Sequence, residues 1–315
     1  MKGISIIVPF LDEAEGIGMF CEQLDIYSRD SKRPLELVFV DDGSTDGTGG
    51  ILCQYSFQYV EKVQLITLSK NFGSHAAIRA GVAHATMDVC TWMGSDLQEP
   101  IEFLEMSCKK IEEGFDAVYV EKNSINISAF DRGFSKMYSA LMRRFAVKNY
   151  SSGGVSNIVF NEKVMKLLRE NPEGNSSIML QIMDAGFKNT TISLDYKERA
   201  TGKSKWTLSK KIKLFIDSFV SFSFMPIRLV SIVGLLLFFL GLLFGIIIIV
   251  NKICNPALPI AGYPTLACLI SVGFGITNIS LGIIAEYLWR AYDAARKRPV
   301  YIISDVRELG NGNVL

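Results

Sequence analysis

The sequence has little net charge, few histidines and no paired cysteines, and each absence excludes a class of protein. Its 33 basic and 32 acidic residues leave a formal net charge of +1, so no global positive field favours nucleic-acid binding. The six cysteines are scattered without a CxxC pair, and only two histidines are present. This pattern argues against a structural zinc site or a disulfide framework and is typical of a reducing compartment. A signal-peptide pattern is also missing, so we expect the N-terminal part in the cytoplasm.

Apolar residues make up 49% of the chain, and their excess lies in its last third. The segment Leu229–Val250 holds no charged residue. At about 1.5 Å per residue it would be roughly 33 Å long, enough to cross the hydrocarbon core of a bilayer. A second segment, Tyr263–Leu288, is free of charge until Glu286. The two segments predict transmembrane helices at about 229–250 and 264–288; a buried hairpin of core helices is the alternative.

The distribution of basic residues predicts the orientation of this hairpin. Lysines and arginines lie on both outer flanks, whereas Lys252 is the one basic residue between the two spans. Because basic residues concentrate on the cytoplasmic side, both flanks are expected in the cytoplasm and the short loop outside. Before the first span, residues 207–225 place apolar side chains at helical spacing beside lysines, which predicts an amphipathic helix at the membrane surface. An ordinary surface helix is the alternative for this segment.

The first part of the chain alternates between short apolar strands and helical segments. Four buried strands and a helix of small residues are predicted, in the order Gly3–Phe10, Leu35–Val40, Val63–Leu68, Ala76–Ala85 (the helix) and Val89–Met93. Such alternation predicts an α/β fold with a mostly parallel sheet and helices on both faces. In these sheets ligands bind beyond the carboxyl ends of the strands.

Polar residues follow three of the predicted strands, at Pro9–Glu13, Asp41–Asp46 and Asp96–Gln98. Asp96 is a candidate ligand for a divalent cation that neutralises a diphosphate, and the carbonyl of Gln98 lies on the same side of an extended segment. The alternative for Asp96 is a turn or a helix cap. Two adjacent carboxylates, Asp41 and Asp42, go beyond what a turn requires and are suited to accept hydrogen bonds from a base or ribose.

Several runs in order along the chain resemble the family 2 glycosyltransferases: IIVPFLDEAEGI, VFVDDGSTDGT, LSKNFGSHAAIRAG and GSDLQEP. Later runs resemble the branch of that family that makes polyprenyl-phosphate sugars: RATGKSKW, FSFMPIR and LGIIAEYLWRAYDAARKRPVYII. The resemblance covers almost the whole chain. It implies a GT-A catalytic domain at 1–206, an interfacial helix at 207–225, two transmembrane helices within 226–290 and a cytoplasmic tail at 291–315.

The resemblance also implies the residues of the site. The nucleotide sugar would be bound by Pro9, Glu13, Asp41, Asp42, Lys70 and Asp96. The phosphate of the acceptor would be bound by Arg132, Arg199, Ser204 and Lys205. A Mg²⁺ or Mn²⁺ ion would be held by Asp96 and Gln98, and the catalytic residues would be Asp96, Arg199 and Lys205.

The implied reaction is inverting transfer of a hexose to undecaprenyl or another polyprenyl phosphate at the bacterial cytoplasmic membrane, for glycosylation of the cell envelope. The LSKNFG run favours a UDP-hexose such as UDP-glucose over a GDP-sugar as donor. The expected partners are thus a nucleotide sugar, polyprenyl phosphate and the lipid bilayer, with no nucleic acid. The sequence does not decide the oligomeric state; packing of the two membrane helices between protomers would give a homo-oligomer.

Two departures from the family pattern keep other functions open. Gly94 stands where the family's Asp-x-Asp motif has its first aspartate, and Ser156-Asn157-Ile158 stands where relatives tend to have Asp-Phe-Arg. These changes are compatible with a degenerate relative that binds a nucleotide sugar or a membrane partner without efficient catalysis. A processive polysaccharide synthase is a further alternative, but such enzymes usually need more than two membrane helices.

Overall fold

The computed structural model describes residues 2–31, 33–95, 99–122, 139–144, 155–174, 176–195, 225–254 and 262–310. Contacts divide the chain into two units, Met1–Ser218 with Pro299–Leu315, and Phe219–Arg298. The first unit holds a β-sheet with its helices, and the second holds two long helices. Of the interfacial helix predicted at 207–225, all residues but Met225 lie outside the described ranges.

A single sheet forms the centre of the first unit. Its described strands are β1 (Ile4–Phe10), β2 (Leu35–Asp41), β3 (Lys62–Leu68), β4 (Val89–Trp92), β5 (Ala117–Lys122), β6 (Val155–Asn161), β7 (Asn189–Leu194) and β8 (Ile303–Leu309). They lie in the order β7-β5-β6-β4-β1-β2-β3-β8. Strands β4, β1, β2 and β3 are parallel, β6 is antiparallel to β4 and β5, and β8 is antiparallel to β3. The predicted mostly parallel α/β fold is therefore confirmed.

Helices connect the strands of the first unit. Those described are α1 (Ile17–Asp30), α2 (Thr48–Gln54), α3 (Ser74–His84), α4 (Phe103–Glu112), α5 (Glu162–Glu170) and α6 (Ile178–Asp184). The small residues of α3 let it lie close to the sheet, since a Cβ atom at Gly81 would stand 2.3 Å from the side chain of Ile7. This close packing holds the C-terminal half of α3 against β1.

The core of this unit is built from strands whose side chains are buried on both faces. All seven residues of β2 are buried, as expected for a central parallel strand covered by helices. Phe20 of α1 and Phe39 of β2 are both fully buried in one apolar cluster. Burying a side chain of this size contributes about 1.5–3 kcal/mol. The strand ends are thus held on a rigid base.

The segment 291–315, predicted as a C-terminal tail, contains a strand of the sheet. Strand β8 pairs with β3 from Val63↔Leu309 to Leu68↔Ile303. Beyond the ladder, the Ser69 amide donates a hydrogen bond of 2.9 Å to the Ile302 carbonyl. The sheet-containing unit is therefore discontinuous in sequence, because it includes a strand from the C-terminal segment, and the domain bounds predicted from the sequence stay predictions.

The second unit contains α7 (Met225–Cys254) and α8 (Tyr263–Ala295). Within them, Ile227–Asn251 and Val272–Ala295 are long and apolar enough to cross a membrane, judged by length and composition. Neither span is buried inside the protein. This exposure distinguishes them from the buried core hairpin that was the alternative for these segments.

Candidate active site

The loops that follow β1 and β2 are joined by hydrogen bonds in both directions. The Asp12 amide donates to the Ser44 hydroxyl at 3.0 Å, and the Asp12 carboxylate accepts from the Thr45 amide at 2.8 Å. The Asp46 carboxylate accepts from the Ala14 amide at 2.9 Å. These contacts fix the two loops relative to each other at the carboxyl edge of the sheet.

The backbone is constrained where β1 ends. Asp12 has a positive φ of 52°, a left-handed conformation that costs most residues about 1–2 kcal/mol and that aspartate tolerates better than most. The next residue, Glu13, donates its amide to the Thr48 hydroxyl at 3.1 Å, and its carbonyl accepts from the Ile17 amide at 3.0 Å. Pro9 and Glu13, both predicted to bind the nucleotide, therefore flank a turn with a defined shape.

Asp41 and Asp42 are both buried at the end of β2, with 7% and 4% of their surface exposed. The Asp41 carboxylate accepts from the Ser44 amide at 2.7 Å. The two oxygens of Asp42 accept from the amides of Phe72 and Gly73, at 2.7 and 2.9 Å. Burial raises the pKa of Asp42 above its usual value, although these two amides lower it. Asp42 thus holds the loop before α3, and the predicted contact of both aspartates with a nucleoside stays a prediction.

The loop after β3 lies directly against the loop after β2. Gly43 has a φ of 86°, and a Cβ atom there would stand 2.9 Å from the Asn71 nitrogen and the Lys70 carbonyl carbon. Only glycine allows this approach. The exposed Lys70 side chain places its ammonium 5.1 Å from the centre of the Phe72 ring. Lys70, predicted to bind the nucleotide sugar, therefore lies at the same edge as Asp41 and Asp42.

The segment after β4 carries the predicted metal ligands and is anchored on both sides. Before it, the Met93 amide donates to the Ile7 carbonyl at 2.8 Å, and Ser95 is buried. After it, the Glu99 carboxylate accepts from the Asn157 amide group at 3.0 Å. Asn157 was noted in the sequence only as part of a departure from the family pattern.

Two polar residues of α3 were not predicted to contribute. The guanidinium of Arg79 is buried and donates to Gln181 at 2.6 Å and to Ser176 at 3.3 Å. Burial lowers the pKa of Arg79 to about 10. One turn earlier, burial and then the charge of Arg79 lower the pKa of His75 to about 4. No local sequence signal identifies these environments, because the partners of Arg79 lie about a hundred residues further along the chain.

The structure brings five of the predicted site residues to one edge of the sheet: Pro9, Glu13, Asp41, Asp42 and Lys70. The other six lie outside the described residues: Asp96, Gln98, Arg132, Arg199, Ser204 and Lys205. The roles of all eleven stay predictions.

The donor set predicted after β4 fits a hard divalent cation. Within the described ranges, no group of three or more His, Cys, Asp or Glu residues could hold a metal by itself. Asp96 and Gln98 supply oxygen atoms only, the ligand type that Mg²⁺ and Mn²⁺ prefer. A site with one carboxylate suits an ion that shares its ligands with a substrate diphosphate.

The fold and this edge define a class of protein before any comparison. A mostly parallel sheet whose β1, β2 and β3 loops interlock, with an acidic segment after β4, is a GT-A-type arrangement. The model of the family "Glycosyl transferase family 2" matches residues 5–187, and the chain belongs to this family of glycosyltransferases.

Curated relatives match nearly the full chain. An undecaprenyl-phosphate 4-deoxy-4-formamido-L-arabinose transferase from Photorhabdus laumondii is 28% identical over 97% of this chain and 94% of its own length. The uncharacterized glycosyltransferase YkcC of Bacillus subtilis is 30% identical over 95% of this chain and 92% of its own length.

A solved structure supports the fold. The glucosyl-3-phosphoglycerate synthase of Mycobacterium tuberculosis, in complex with Mn²⁺, UDP and phosphoglyceric acid, matches with a TM-score of 0.50. The match covers 70% of this chain and 76% of that chain, at 15% identity. At this identity the likeness shows the GT-A fold alone.

Proposed function

We propose that this glycosyltransferase moves a sugar from a nucleotide donor to a polyprenyl phosphate at the cytoplasmic face of a bacterial inner membrane. The observation that carries the proposal is that one chain contains both a GT-A sheet and two apolar helices. A GT-A sheet with interlocked loops at its carboxyl edge is continuous with two apolar helices, and the chain returns to the same sheet as β8. An enzyme with a soluble donor and a lipid acceptor needs both parts.

The names of the relatives support this choice of acceptor. The transferase from Photorhabdus laumondii acts on undecaprenyl phosphate by its name, and it matches this chain through both apolar helices as well as the sheet. A lipid phosphate is already anionic, so the enzyme has to position it and compensate its charge more than deprotonate it. We assign that task to Arg132, Arg199, Ser204 and Lys205.

Residues at the ends of the strands would bind the donor. We assign the nucleotide to Pro9, Glu13, Asp41, Asp42 and Lys70, and the diphosphate to the region of Asp96. Asp96 and Gln98 would hold Mg²⁺ or Mn²⁺, which when bound neutralises charge on the leaving diphosphate. Direct attack of the lipid phosphate on the anomeric carbon inverts its configuration. We propose a UDP-hexose as donor; the relatives' names add a formamido-arabinose donor to those to be tested.

Gly94 favours one second candidate. Where the family has its first metal-binding aspartate, this chain has no side chain to offer, which leaves Asp96 as the carboxylate of the motif. A relative that binds a nucleotide sugar without efficient transfer would tolerate such a loss.

An extraction assay separates the two candidates. Full-length protein in detergent receives undecaprenyl phosphate, Mn²⁺ or Mg²⁺, and labelled UDP- and GDP-sugars that include a hexose and the formamido-arabinose. Label in the organic phase, abolished by EDTA and by Asp96→Ala, is the expected result and names the sugar. Nucleotide binding without transfer from any donor would contradict the proposal in favour of the binding protein.

A further inference from the structure

Strands β4 and β6 separate where β4 approaches the site. Their antiparallel ladder consists of Val89↔Asn161 and Cys90↔Phe160, and no further pair between them is found among the described residues. Residues later in β4, which lead to the predicted metal ligands, lie beyond this ladder. Side-chain hydrogen bonds cross the gap: the Thr91 hydroxyl of β4 donates to the Ile158 carbonyl at 3.1 Å, and one side chain of β6 reaches the end of β4.

That side chain is Asn157, which is fully buried. Its Nδ2 donates to the Trp92 carbonyl and, at 3.0 Å, to the Glu99 carboxylate. Its Oδ1 accepts from the Thr91 hydroxyl at 3.2 Å. Trp92 precedes the segment with the predicted metal ligands and Glu99 follows it, so one amide group holds both ends of the segment.

We propose that Asn157 is a positioning residue for metal binding, because it fixes both ends of the segment that carries Asp96 and Gln98. This inference rests on the proposed function. With Gly94 in place of a first aspartate, the segment has fewer charged ligands, and its affinity for the ion depends more on how well the remaining ones are placed. Ends that are already fixed leave less conformational entropy to be lost when the ion binds.

The chemistry of the contacts explains why an amide suits this position. The Glu99 carboxylate and the Trp92 carbonyl are acceptors, whereas the Ile158 amide, which donates to Asn157 Oδ1 at 2.7 Å, is a donor. The amide of asparagine supplies the matching donor and acceptor on one short side chain. A leucine of similar volume supplies neither, so the link between Glu99 and the end of β4 would be lost, while the Met93 amide still holds the end of β4 to Ile7.

The test measures the affinity of the full-length protein for Mn²⁺ in detergent. Free Mn²⁺ is followed by its electron paramagnetic resonance signal, with UDP and, in parallel, with GDP present. We expect Asn157→Leu to raise the apparent dissociation constant for Mn²⁺ roughly tenfold, the usual scale for lost partners behind metal ligands. Thermal unfolding of the same sample reports how much stability is lost.

The same strand offers a matched control. Asn161 also donates its amide to a carboxylate, that of Asp116 at 2.8 Å, and its Oδ1 caps α5 through the Lys163 amide at 3.0 Å. It lies at the opposite end of β6, away from the carboxyl end of β4. Asn161→Leu should lower the melting temperature while leaving the affinity for Mn²⁺ unchanged.

A gentler variant covers the case in which Asn157→Leu does not fold. Asn157→Ser keeps a polar group but is one bond shorter, so the contact with Glu99 is lost with less disturbance of the core. A double-mutant cycle with Glu99→Ala then tests whether Asn157 and Glu99 affect Mn²⁺ binding through their shared contact or independently of each other. If Glu99 acts through Asn157, the two substitutions together weaken Mn²⁺ binding no more than the stronger one alone.

Each outcome bears on a different claim. If the wild-type protein fails to bind Mn²⁺ both in the presence of UDP and in the presence of GDP, the proposed function fails and this inference fails with it. If the wild type binds but Asn157→Leu, or Asn157→Ser in its place, keeps its affinity within twofold, the positioning role is wrong while the proposed function stands. An equal loss in Asn161→Leu would also overturn it, because the effect would then follow stability alone.

Discussion

Gly43 lies where the loop after β2 packs directly against the loop after β3. Its φ of 86° and the 2.9 Å that would separate a Cβ atom from the Asn71 nitrogen are two independent requirements for glycine. The first is a property of its own backbone, and the second is a property of the loop opposite. A few residues later, Gly47 has the first requirement without the second, since no atom lies within 4 Å of its Cβ position.

This difference predicts unequal effects of the same substitution. Gly43→Ala should destabilise the protein by about 2–4 kcal/mol, since left-handed strain adds to a backbone clash that no side-chain rotation relieves. It should also weaken nucleotide binding, because the segment with Lys70 must move. Thermal unfolding in detergent and nucleotide titration measure the two effects.

Gly47→Ala is the control for backbone strain alone. It should cost about 1 kcal/mol and leave nucleotide binding unchanged. Equal losses of stability in the two variants would show that the close approach between the loops does not matter.

The positions of these residues could be predicted from the sequence more easily than their contacts. Asp41, Asp42 and Lys70 follow parallel strands, and the carboxyl ends of parallel strands share an edge, so their proximity follows from the strand pattern alone. The contact of Asp42 with the amides of Phe72 and Gly73 does not, because a carboxylate at a strand end has several partners in reach. Asn157 was harder still, since its partners Trp92 and Glu99 lie some sixty residues earlier.

At the scale of elements, the first turn of α3 makes stability depend on pH. Burial lowers the pKa of His75 to about 4, against 6.5 for an unperturbed histidine. Between these values the unfolded chain binds a proton that the folded protein does not. Stability should therefore fall as the pH drops from about 6.5 towards 4, by at most about 1.4 kcal/mol per pH unit.

His75→Gln removes this titration. The melting temperature of the variant should depend less on pH over that range than the melting temperature of the wild type. Parallel curves for the two proteins would show that His75 is not buried as a neutral side chain.

The C-terminal strand is the element that the sequence could least predict. In the run ISDVREL the apolar residues Ile303, Val306 and Leu309 are three positions apart, which does not match the period of two expected of a strand with one buried face. Its partner β3 also lies more than two hundred residues earlier in the chain. Strands β1 to β4 were readable because continuous apolar runs are typical of buried parallel strands. An edge strand with solvent on one side gives a weaker signal.

Strand β8 predicts the effect of two truncations. Ending the chain after Arg298 removes β8 and exposes the edge of β3, which should cost about 3 kcal/mol or more for the lost ladder. That corresponds to a melting temperature lower by roughly 6–12 °C, with a tendency to aggregate through the open edge. Ending it after Gly310 keeps β8 and should leave the melting temperature unchanged. Equal melting temperatures for the two truncations would contradict a stabilising role for β8.

At the scale of the whole molecule, β8 constrains the path of the chain. The segments before α7 and after α8 contribute strands to the same sheet, so they must lie on the same side of any membrane that the helices cross. An even number of crossings satisfies this condition, and two apolar helices provide it. Basic residues on both outer flanks also predict one common side for the two segments, and they predict that this side is the cytoplasm.

Two exposed native cysteines allow this orientation to be measured. Cys254 ends α7 beside the loop predicted outside the cell, whereas Cys53 lies on α2 of the sheet-containing unit. In a Cys268→Ser background, which removes the cysteine near the start of α8, a membrane-impermeant maleimide added to intact spheroplasts should label the otherwise unchanged protein and Cys53→Ser, but not Cys254→Ser. After permeabilisation, Cys254→Ser should become labelled through Cys53. Labelling of Cys254→Ser in intact spheroplasts would place the catalytic unit outside, away from the nucleotide sugars of the cytoplasm, and would contradict both the orientation and the proposed reaction.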